Sequence, residues 1–152
     1  MPDFNFSRGI TQVNNSGTIL LQKRFFTDKG ELSLLLRELE RLRPQMPLSN
    51  DQFHNLVIAM TEAVNNAIVH GNQLDPSKSV FYQISATEDG VFCTIEDEGE
   101  GFTLEDLANP ISPENLLMES GRGMFIIGAL MRDLKAVKTE RGMRVEFLCA
   151  AG

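Results

Sequence analysis

The chain has 152 residues, 42% hydrophobic and 23% charged, a balance that fits one soluble domain around one core. Its 14 basic and 21 acidic residues leave a net charge of −7, which excludes the basic footprint that a duplex-binding protein needs to displace counterions. No run approaches the roughly 18 apolar residues of a membrane-spanning helix, and Met1–Asn15 lacks the basic start and apolar stretch of a secretory signal, so a cytoplasmic location is expected.

Residues 1–17 carry polar, Gly and Asn signals and read as a lead-in; residues 18–152 read as one domain. Thr18–Phe26 alternates as a strand, and Thr27 or Asp28 is placed to cap the helix that follows. From Glu31 to Arg43 the leucines at 32, 35, 36, 39 and 42 recur at helical spacing, and Pro44 and Pro47 stop the run. A second helix, capped by Ser49, Asn50 or Asp51, is predicted to reach about His70, with Gly71-Asn72 as its stop. Ser79–Thr87 and Val91–Glu96 read as a hairpin turning at Glu88-Asp89-Gly90. Residues 98–123 then form one long Gly-, Pro- and Asn-rich loop, of a length usually tied to function. A third helix over Met124–Arg132 and strands near Leu134–Thr139 and Met143–Ala150 complete the chain. Cys93 and Cys149 sit in apolar strand-like runs and are expected as packed thiols. The order predicts an α+β two-layer sandwich, with helices on one face of a mixed, mainly antiparallel sheet.

Three motifs carry chemistry. Glu62 and Asn66 stand four apart on the second helix and share a face, with Asn65 beside them. An amide oxygen is a hard, neutral ligand suited to Mg²⁺, and a carboxylate one turn away can orient or deprotonate a nucleophile. A polar helix end that frays would look the same. In Asp97-Glu98-Gly99-Glu100-Gly101 an acceptor leaves a strand into two glycines, which suits the exocyclic amine of adenine; an acidic surface turn has the same composition. Gly121-Arg122-Gly123-Met124 closes the long loop at a helix start, where backbone N–H groups bind anions, though a hinge and cap would use glycine alike. Arg122 either reaches the terminal phosphate or stays solvated, and Met124 reads as packing. Taken in order, the three supply what a nucleotide site needs.

These segments match a known superfamily. EAVNNAIVHGN (62–72) resembles the N box of the GHKL, or Bergerat-fold, ATPases, DEGEG (97–101) their G1 box and SGRGMFII (120–127) their G2 box. Gly142-Met143-Arg144-Val145 resembles the last turn of that fold, with Met143 where Thr is usual, and residues 110–116 are similar to the short lid of anti-sigma-factor serine kinases. The resemblance implies Glu62 as the base, Asn66 as the Mg²⁺ ligand and Asn65 alongside the phosphates of ATP. It implies that Asp97 reads adenine in a pocket shaped by Gly99 and Gly101. Gly121 and Gly123 would hinge the lid and, with Arg122 and Met124, border the phosphates. A sigma factor and a STAS-domain anti-anti-sigma protein are the implied partners, with self-association into a homodimer. A switch that loads nucleotide but transfers nothing is the other function these motifs allow.

Overall fold

The computed structural model describes residues 17–99 and 119–152. The lead-in over 1–16, the lid segment at 110–116 and Gly101 lie outside the described residues. Strand β1 (Thr18–Phe26) leads into helix α1 (Glu31–Leu42), α2 (Asn50–Asn66) and the hairpin β2 (Ser79–Thr87) and β3 (Gly90–Asp97). Helix α3 (Glu119–Leu130), β4 (Arg132–Lys138) and β5 (Met143–Ala150) follow. The five strands form one sheet in the order β1-β2-β3-β5-β4, and all four described ladders are antiparallel, so no parallel pair makes the sheet mixed among them. Alternate residues Val80, Tyr82 and Ile84 of β2 and Val91, Cys93 and Ile95 of β3 turn toward the helices and form one core with them.

Local chemistry explains most element ends. Leu35, Leu39 and Leu42 are the buried stripe of α1, while Leu36 falls at its edge and stays exposed. Pro44, lacking an N–H, turns the end of α1 into a short 3₁₀ segment, Arg43–Gln45. Neither Thr27 nor Asp28 is the residue at the N-cap of α1, which is Gly30. Asp28 instead accepts the Gly30 N–H at 2.9 Å, and the Thr27 hydroxyl donates to the Lys78 carbonyl at 2.8 Å. Ser49 starts α2 with a reciprocal capping box: its hydroxyl accepts the Gln52 N–H, and the Gln52 side chain accepts the Ser49 N–H.

Two boundaries differ from the sequence expectation. The α-helical part of α2 ends at Asn66, and Ala67–Gly71 form a wider π-helical turn, closed by the Asn72 N–H on the Ala67 carbonyl at 2.8 Å. Gln73 and Leu74 then take left-handed backbone, φ 52° and 61°, a conformation that costs an L-residue about 1 kcal/mol or more. Gln73→Gly is therefore expected to stabilise the protein by up to ~1 kcal/mol, read as a raised melting temperature. Helix α3 starts at Glu119, five residues ahead of the expected Met124, and ends at Leu130. Gly121 and Gly123 thus lie inside the helix; each costs about 1 kcal/mol of helix propensity, and the packing of Gly123 against α2 outweighs it.

Cys93 and Cys149 are free, buried thiols, and burial pushes Cys149 up to about 11. Among the described residues no helix is long and apolar enough to cross a membrane.

Candidate functional site

The last turns of α2 carry Glu62, Asn65 and Asn66, and α3 is set directly against them. A Cβ at Gly123 would lie 2.8 Å from Glu62 Oε1 and 3.0 Å from Asn66 Nδ2, so the carboxylate and the amide both rest on the bare backbone of Gly123. Asn66 is 7% exposed, and its Nδ2 finds no hydrogen-bond partner among the described residues. A buried amide left with an unmet donor is costly in a finished interior and ordinary where a ligand completes the site. Asn65, the next residue back, is half-buried.

Asp97 ends β3 on the helix-facing side and is 8% exposed. Three glycines keep this corner close-packed, two of them directly against Asp97. A Cβ at Gly71 would enter the van der Waals shell of the Asp97 carboxylate, one at Gly142 that of the Asp97 carbonyl, and one at Gly99 that of the Gly71 carbonyl. Burial pushes Asp97 up to about 6, against the opposing pull of the N–H groups of Gly99 and Met143. The Gly99 N–H donates to Asp97 Oδ1 at 2.8 Å.

Asn66 and Asp97 open on a common cleft walled by Ala63, Ile95, Met124, Met143 and Val145. Apolar walls with one amide and one carboxylate suit a flat ring that offers a hydrogen-bond donor at its edge. The cleft encloses about 10 Å³, room for one water.

The structure thus brings Glu62, Asn66 and Gly123 together, and Asn66, Asp97 and Met124 around one cleft. Gly99 is buried beside Asp97 and Arg122 is exposed on α3. Gly121 falls in the first turn of α3, where N–H groups lack intrahelical acceptors, and Gly123, two residues on, in the second. Gly123 therefore contributes the absence of a side chain more than a free N–H.

One residue of the site went unread in the sequence. Asn72, in sequence a helix stop, is fully buried; its Nδ2 donates to Thr27 Oγ1 at 3.0 Å and to the Ser79 carbonyl at 2.9 Å, and its Oδ1 accepts the Glu98 N–H at 2.8 Å. The Glu98 carboxylate accepts the Ser79 N–H at 3.1 Å and hydroxyl at 2.6 Å, with Arg141 at 3.9 Å. Burial opposes its ionisation, but the Ser79 bonds, Arg141 and Arg24 together hold it below the ordinary glutamate value. Only the position of Asn72 after a helix-ending glycine marked it, and that position suits a cap equally.

A helix pair bearing a carboxylate and an amide over a glycine, beside a strand-end aspartate in an apolar cleft, is the arrangement of a nucleotide-binding ATPase domain. The family model described as the histidine kinase-like ATPase domain matches residues 25–148, and the chain belongs to that family. An anti-sigma F factor from Clostridium perfringens is 32% identical over 106 residues, which cover 66% of this chain and 74% of that protein. The serine-protein kinase RsbW of Bacillus licheniformis is 29% identical over 113 residues, 70% of each chain. Its namesake from Oceanobacillus iheyensis is 33% identical over 97 residues, 60% of this chain and 61% of the relative.

Proposed function

We propose that this chain is a protein serine kinase and anti-sigma factor. It binds Mg-ATP, holds a sigma factor and phosphorylates a serine on a STAS-domain anti-anti-sigma partner, with nucleotide state deciding which partner is held. The reading is carried by the meeting of Glu62 and Asn66 on Gly123, with Asn66 sharing the cleft of Asp97. Its direction comes from relatives named anti-sigma F factor and serine-protein kinase.

Glu62 then accepts the proton of the serine hydroxyl as that oxygen bonds the γ-phosphorus and the bond to ADP breaks. Asn66 fits a Mg²⁺ ion through its amide oxygen, a hard, neutral ligand on a nearly buried side chain, while its unmet Nδ2 donor suits a phosphate oxygen. When bound there, the ion would offset charge on the phosphate oxygens. Asn65 lies alongside the phosphates, and the first-turn amides of α3, that of Gly121 among them, receive anionic oxygens. Arg122 adds positive charge at the same helix. Asp97 takes the adenine amine, Gly99 and Gly101 let the ring lie close, and the flexible side chains of Met124 and Met143 move to admit it. The same reading carries a cytoplasmic location and a homodimer.

Incubation with Mg-ATP and a cognate STAS protein should label a serine of that protein. Glu62→Ala should cut transfer by about 10²–10⁴-fold and leave ATP affinity nearly unchanged. Undiminished transfer in that variant would remove Glu62 from the base role. Gly123→Ala should displace both Glu62 and Asn66, lowering kcat on the order of 10²-fold while the melting temperature moves little, since alanine gains the helix propensity that glycine lacks. Capture of a sigma factor in the presence of ATP, without transfer to any STAS protein, would favour the nucleotide-dependent switch.

A further inference from the structure

Asn72 is buried with both amide hydrogens and its oxygen engaged, and those bonds tie together three separate segments: the end of β1 at Thr27, the start of β2 at Ser79 and the turn after β3 at Glu98. A buried amide adds little net stability over a well-packed apolar side chain, so stability alone does not account for it. What it does supply is placement. Its oxygen holds the Glu98 N–H, the Glu98 carboxylate is held in turn by the N–H and hydroxyl of Ser79, and the Gly99 N–H closes on Asp97 Oδ1. The backbone directly after Asp97 is thereby pinned at consecutive residues. Asn72 is itself fixed between the π-helical turn before it and the two left-handed residues after it, a costly backbone that persists only where its surroundings over-determine it.

We infer that Asn72 is a positioning residue for base recognition: by holding the Glu98 N–H it fixes the direction in which the Asp97 carboxylate meets the exocyclic amine of adenine. This rests on the reading of Asp97 given above. The residue touches no substrate and acts through Asp97, so its removal should degrade discrimination between bases rather than binding of phosphates.

The experiment compares the affinities of ATP and inosine triphosphate, which carries a carbonyl where adenine carries the amine. The wild-type chain should prefer ATP, Asp97→Asn should abolish the preference, and Asn72→Ala should lower it on the order of tenfold with inosine triphosphate affinity little changed. In an Asp97→Asn background, Asn72→Ala should cost no further ATP affinity, because the group it positions is gone. Ser79→Ala, a milder change that leaves the Ser79 N–H on Glu98, should lower the preference in the same direction and serves if Asn72→Ala does not fold. Equal losses for both nucleotides, or losses that simply add in the Asp97→Asn background, would make Asn72 a structural residue only and overturn the inference. A wild-type chain without preference, unchanged by Asp97→Asn, would instead overturn the reading of Asp97 itself, and the inference with it.

Discussion

Asp97→Asn should make the nucleotide-free protein more stable at neutral pH and a much weaker binder of ATP. Burial raises the folded-state pKa of Asp97 to about 6, above the ordinary 3.8. For an acid shifted upward, the folded state holds the proton more tightly than the unfolded chain. Stability is therefore gained as pH falls from about 6 toward 4 and is lost again as pH rises through 6. At pH 7 the ionised, desolvated carboxylate costs on the order of 3 kcal/mol, and an isosteric amide removes most of that cost. A rise of several degrees in melting temperature follows. The same amide cannot accept from the adenine amine with a full charge, so ATP affinity should fall by about 10²-fold. The wild-type chain should lose ATP affinity as pH drops through about 6, whereas the Asn variant stays flat between about pH 5 and 8. Thermal melts and titration calorimetry over that range test both halves. A variant that melts lower and still binds ATP would contradict the burial argument and the recognition argument together.

Gly71→Ala should end ATP binding by pressing one methyl group into the Asp97 carboxylate. Its Cβ would enter the Asp97 carboxylate, and that carboxylate cannot retreat, since the Gly99 N–H holds one oxygen and Gly142 packs on the Asp97 carbonyl. Overpacking of this kind costs about 1–3 kcal/mol, and the displaced acceptor should end measurable ATP binding. The pair is in direct contact, so its effects should not add: Asp97→Ala introduced beside Gly71→Ala should restore the melting temperature without restoring binding. Denaturant unfolding of the two single variants and the double variant measures that coupling. Additive destabilisation would mean that the methyl group is accommodated elsewhere.

Elements defined by a local rule were legible in the sequence. The leucine stripe of α1, the Ser49 cap of α2, the alternation of β2 and β3 around Gly90 and the α+β order all depend on residues within a few positions of one another. Features that depend on contacts across the fold were not. The glycines near 121–123 argue for loop by propensity, yet the close approach of Gly123 to Glu62 and Asn66 keeps them in α3. The π-helical turn after Asn66 has no compositional mark, because a widened hydrogen-bond pattern and not a residue type defines it. Asn72 draws on partners 7, 26 and 45 positions away, so nothing in its neighbourhood announces it. At the site, the residue types and their order were readable from chemistry. Their convergence on Gly123, and the two glycines that make room for Asp97, needed the tertiary structure.

The strand order gives the two ends of the site unequal lifetimes. Strand β3, which ends in Asp97, is the middle strand of five, bonded along both sides by β2 and β5. Its amides should be among the last to exchange with solvent deuterium, opening only when the whole domain opens. The start of α3, a helix end whose first N–H groups lack intrahelical acceptors and which carries glycines, should exchange orders of magnitude sooner. A nucleotide held between them would be anchored by its base to the slowest-opening strand and gripped at its phosphates by a segment that frays on its own.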